Sequence, residues 1–67
     1  MDGVNTSEYD LRHRILVICG CIAPSESLAQ VDFDLPLIVF VQHVLGNPNL
    51  TVTQAVLIAC LLAERLS

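Results

Sequence analysis

Residues 35–67 read LPLIVFVQHVLGNPNLTVTQAVLIACLLAERLS, two apolar segments of helical period separated by Gly46, Asn47, Pro48 and Asn49. Asp34 ahead of Leu35 and Pro36 places an acidic cap and a proline in a first turn, where a missing amide costs nothing. Leu37, Val41, Val44 and Leu45 then share one face, with Ile38 and Phe40 beside them, while Gln42 and His43 point elsewhere. Gly46 is expected to supply a left-handed stop, and Pro48 prevents continuation. Thr51 and Gln54 form a capping box, with Leu50 and Ala55 able to pack across it as a hydrophobic staple. A helix from Val52 to about Leu66 follows. Joined by a short loop, the two segments predict a helical hairpin over residues 35–67.

The second helix of that pair is apolar on nearly every side from Ala55 to Ala63. Such a helix must be surrounded by other elements, and one amphipathic neighbour does not surround it. Glu64 and Arg65 restore polarity only in the last turn, so the chain's end reads as an interrupted core.

Upstream, Ser7 followed by Asp10 gives capping chemistry for a helix from about Glu8 to about Ile22. Leu11, Ile15, Ile18 and Ile22 recur at helical spacing, widened by Leu16 and Cys19, with Val17 and Cys21 adding breadth. Gly20 weakens this helix by about 1 kcal/mol relative to Ala. A strand over Ile15–Cys19 is the alternative, since β-branched residues favour it. Pro24 closes the element, and residues 24–34, polar and acidic, read as a linker. Ser25 is placed to cap a short turn through Leu28. The expectation is therefore one small all-α domain of three helices: 7–23, and the hairpin 35–67 after the linker.

Composition bounds what such a domain does. Of 67 residues, 54% are hydrophobic and 15% charged, which excludes a disordered tail. A chain this short buries only about 60% of its unfolded surface, so part of that apolar content is expected to be left for a partner. Seven acidic residues against Arg12, Arg14 and Arg65 give a net charge of −4. Without lysine or a basic cluster, the chain is not expected to bind nucleic acid. The longest apolar runs, Ile15–Ala23 and Ala55–Ala63, fall far short of the ~20 residues that span a bilayer, so no membrane role is expected. Cys19, Cys21 and Cys60 form an odd set with no export signal, which points to the cytosol or nucleus and to no disulfide. Cys60, inside an apolar run, is expected to be buried.

The hairpin segment resembles the opening of a cyclin box, in its fungal phosphate-pathway form. There an aliphatic-x-x-aromatic-aliphatic-x-x-aliphatic helix precedes a short loop and a helix ending in a Glu-Arg-Leu type of sequence. Leu37, Phe40, Val41 and Val44 match the first helix; Thr53, Ala59, Leu62, Glu64, Arg65 and Leu66 match the second. Leu61 stands where the family has an aromatic residue, and Ala63 where it has Leu. The resemblance implies a cyclin cut short, a regulatory chain that binds a cyclin-dependent kinase and biases its αC helix and activation loop without supplying a catalytic group. It transfers no kinase-contact residue.

Other chemistries fit less well. Cys19, Cys21 and Cys60 with His13 and His43 are ligands of the right type for zinc, but Cys19 and Cys21 on one helix would project about 200° apart. Cys60 and His43 suggest a thiolate with its base, yet the apolar run argues for an inert thiol. Asp32 and Asp34 read as a solvated residue and a cap, not as an acid–base pair. No cofactor or metal is expected, and no enzymatic activity. The surface expected to meet a partner comprises Phe33, an aromatic in a polar linker, with Leu37, Phe40, Val41, Val44, Leu57 and Leu61 of the hairpin. The expected partner is a protein, which the resemblance implies is a cyclin-dependent kinase; the alternative is a stand-alone helical adaptor that buries the same faces as a homodimer.

Overall fold

The computed structural model describes the backbone of residues 2–66 and the side chains of residues 8–65. It contains four helices and, among the described residues, no strand: α1 Asp2–Ile18, α2 Gln30–Asp34, α3 Leu37–Leu45 and α4 Val52–Leu66. Helix thus replaces the strand alternative for Ile15–Cys19, and an extra helix lies within the expected linker.

The first helix is shifted toward the N-terminus relative to the expectation. Its backbone is already helical at Asp2, so Ser7 is internal; the Ser7 side chain lies outside the described residues. At the other end Gly20 terminates the helix instead of weakening it. Gly20 adopts φ 79°, the amide of Cys21 donates to Leu16 O at 2.9 Å, and the amide of Gly20 donates to Val17 O at 3.1 Å. This 6→1 and 5→2 pair is a Schellman stop, which satisfies carbonyls that have no partner within the helix. Ile18 O is satisfied from further away, by Gln54 Nε2 at 2.9 Å.

The α2–α3 junction also differs. Asp34 ends α2, bonded to Gln30 Nε2 at 3.0 Å, and Pro36 itself is the cap of α3. The proline has no amide to satisfy, and its carbonyl accepts the amide of Phe40 at 2.9 Å. Gly46 sits in the right-handed region at φ −81° and ψ −2°, where its amide reaches Gln42 O, so α3 stops without a left-handed residue. The start of α4 matches the sequence pattern: Thr51 N donates to Gln54 Oε1 at 2.8 Å and Gln54 N to Thr51 Oγ1 at 3.2 Å.

α1 is the central element. Leu11, Ile15 and Leu16 form its buried stripe and, with Cys19 just beyond its end, meet Phe40 and Val44 of α3 and Ile58 of α4. Ile15 and Ile58 are fully buried, each contributing about 1.5–3 kcal/mol of transfer free energy. The closest helix pairing is α1 with α4, followed by α1 with α2. The hairpin segments therefore pack chiefly through α1. The radius of gyration, 11.5 Å, is close to the ~11 Å of a compact chain this long.

Arg12 lies within this core, with its side chain 3% exposed. Its Nη1 donates to the carbonyls of Asp32 and Leu35 at 2.8 and 2.5 Å, and its Nη2 pairs with Glu8 Oε2 at 2.8 Å. The guanidinium also stands 5.3 Å from the Phe40 ring centroid and 5.8 Å from that of Phe33. One side chain thereby satisfies carbonyls at the end of α2 and holds α2 and α3 on α1.

Candidate partner-binding surface

The face of α4 that meets α1 is centred on Ile58. At 100° per residue, Val52, Val56, Ala59, Cys60 and Ala63 lie on the opposite side, and all five are exposed. Val52 is 81% exposed and Val56 53%, so an uncharged apolar stripe runs along the outside of the helix. The sequence had required this helix to be surrounded; α1 covers one side of it and leaves the other open. Cys60, expected to be buried, is on the open side.

α3 continues the uncovered surface. Ile38 is 69% exposed, and with Leu37, Val41, Leu62 and Arg65 it lines a groove of about 380 Å³ between α3 and α4. Arg65 is the polar member of this wall, and its guanidinium approaches Glu8 Oε1 of α1 at 4.0 Å. A mostly apolar wall with a single polar rim residue is the usual composition of a ligand pocket.

The residues singled out from the sequence separate into groups. Leu37 and Val41 share the α3–α4 groove, and Leu57, half exposed, lies on the flank of α4. Leu61 faces a second, more polar groove between α1 and α4, with Asp10, Arg14 and Glu64. Phe40 and Val44, in contrast, are buried in the core and do not lie on the outer face. Their face of α3 is the one that packs inward on α1. Phe33 is partly exposed but engaged: its ring lies 5.7 Å from that of Tyr9, tilted by 55°, and beneath the Arg12 guanidinium. An aromatic residue in the polar segment 24–34 thus has a structural task, seating α2 on α1.

The sequence did not indicate the exposure of Ile38, since the face of α3 that turns inward depends on where α1 lies. A second feature it misplaced is the cysteine pair. Because α1 ends at Ile18, Cys19 and Cys21 do not lie on opposite sides of a helix, and their Sγ atoms are 2.7 Å apart. Cys21 opens onto a cleft of about 630 Å³ that it shares with Asp32, Gln42, His43 and Asn47, whereas Cys19 is buried.

Among the described residues no group of three or more His, Cys, Asp or Glu side chains is placed to hold a metal ion, and no helix is long and apolar enough to cross a membrane. No family model, curated protein or solved structure matches the chain.

Proposed function

We propose that this chain is a regulatory or interaction module that binds a protein partner through the outer faces of α3 and α4 and contributes no catalytic group. The observation that carries this reading is the exposure of Ile38 on α3 and of Val52 and Val56 on α4, together with the apolar groove formed by Leu37, Val41 and Leu62. Several large apolar side chains left exposed beside an apolar groove on so small a chain support an interaction site. The resemblance of residues 35–67 to the opening of a cyclin box supports a protein kinase as that partner.

The test is recovery of a defined kinase by the tagged chain from cells expressing both, compared with the Ile38→Glu and Val56→Glu variants. Binding by the wild-type chain that is lost in both variants supports the proposal. Equal recovery by all three chains excludes this face, and no recovery of a cyclin-dependent kinase excludes the kinase reading.

A second reading is favoured by the distribution of charge. Of the seven acidic residues only Glu64 lies beyond residue 34, balanced by Arg65, so two copies can bring their α3–α4 faces together without repulsion. A homodimer formed this way gives twice the monomer mass in light scattering without any added partner, and Val56→Glu returns it to monomer.

A further inference from the structure

We propose that Cys19 and Cys21 form a reversible intrachain disulfide by exchange with a low-molecular-weight disulfide of the glutathione type, Cys21 attacking first and Cys19 resolving. Three observations support this. The Schellman stop of α1, with Gly20 at φ 79°, folds the chain back so that the two Sγ atoms lie 2.7 Å apart, in hydrogen-bonding contact. Both thiols are free. Their environments are unequal: Cys21 is exposed on the cleft beside His43 and Asp32, whereas Cys19 lies beneath, its thiol donating to Leu16 O at 3.3 Å. A core hydrophobe at position 19 accounts for the burial of Cys19. It does not account for the sulfur of the otherwise exposed Cys21 resting on it.

The chemistry follows from this inequality. Burial foremost, and then the hydrogen bond with Cys21, pushes the Cys19 thiol up to about 11, so Cys19 is a poor first nucleophile. Cys21, as thiolate, attacks one sulfur of the small disulfide; the S–S bond breaks and one small thiol leaves with a proton. Cys19 then gives up its proton and attacks Cys21 Sγ, expelling the second small thiol. Two cysteine S–H bonds are lost and one protein S–S bond forms, while the small disulfide is reduced to two thiols. Once Cys21 is in the mixed disulfide it no longer stabilises the protonated form of Cys19, which favours the second step. Excess small thiol reverses both steps.

The full chain is reduced, equilibrated at neutral pH with graded mixtures of reduced and oxidised glutathione, quenched with acid and alkylated, and its intact mass is measured. The expected oxidised species has lost two of its three alkylatable thiols, carries no glutathione, and yields a Cys19–Cys21 crosslinked peptide. In the Cys19→Ser variant, Cys21 instead accumulates a glutathione adduct. The proposal is overturned if the wild-type chain accumulates glutathione on Cys21 with Cys19 still alkylatable. It is equally overturned if Cys60 is modified while Cys21 stays reduced, or if the crosslink formed includes Cys60.

Discussion

Arg12 donates to Asp32 O, Leu35 O and Glu8 Oε2 from a buried position, so its replacement leaves two partly buried carbonyls without their donor. An Arg12→Met variant retains the stem's packing but loses these bonds; a loss of about 2–4 kcal/mol is expected in urea unfolding. Arg12→Lys keeps the charge, yet a single ammonium does not span three acceptors on two helices, and it is expected to lose about 1–2 kcal/mol. From the sequence, Arg12 counts only among the three basic residues and is not placed on the apolar stripe. The carbonyls of Asp32 and Leu35 that make its burial possible are supplied only by the approach of α2. Cys19 gives a pH dependence at the same scale. Its folded thiol, raised from 9.0 to about 11 chiefly by burial, favours the protonated form, so its stabilising contribution is complete below pH 9. That contribution is lost as the pH rises toward 11. Alkaline melts in this range are expected to show a fall in Tm that is smaller in Cys19→Val.

At the scale of elements, the two glycines that flank α1 and α3 make opposite predictions. Gly20 needs its positive φ, so Gly20→Ala is expected to cost about 1–2 kcal/mol although open space surrounds the added methyl group. Gly46 is right-handed, and a Cβ there would meet Gln42 O at 3.3 Å; Gly46→Ala is expected to change stability by less than about 0.5 kcal/mol, the tight approach opposing the entropy gain. Thermal melts of the two variants side by side check the difference. Gln54 closes the capping box of α4 and donates to Ile18 O of α1, so Gln54→Ala is expected to lose about 1–2 kcal/mol, more than a surface cap alone. The start of α4 was legible because a capping box is local chemistry between residues three apart. The ends of α1 and the presence of α2 were not: five residues of QVDFD carry no period, and α2 is held by Phe33 on Tyr9 and by the Arg12 bonds.

For the whole molecule, the distribution of exposed apolar residues decides how it behaves in solution. Substituting Val56 with Glu touches no core contact, so stability should stay within about 0.5 kcal/mol while the association proposed for the α3–α4 face should be lost. Hydrogen exchange before and after partner binding should show new protection in α3 and α4, with α2 unchanged. The sequence by itself determined the helical class, the start of α4 and the surplus of apolar residues in 35–67, because periodicity, caps and composition are properties of neighbouring residues. Only the tertiary structure decided that α1, and not the α3–α4 pair, is the centre of packing. It also decided that Phe40 and Val44 turn inward while Ile38 and Val56 turn out, that Arg12 is buried, and that Cys19 meets Cys21. Each of these depends on which faces meet across more than ten residues of chain or on a reversal at Gly20, and an apolar stripe states only that a face is to be covered, not what covers it.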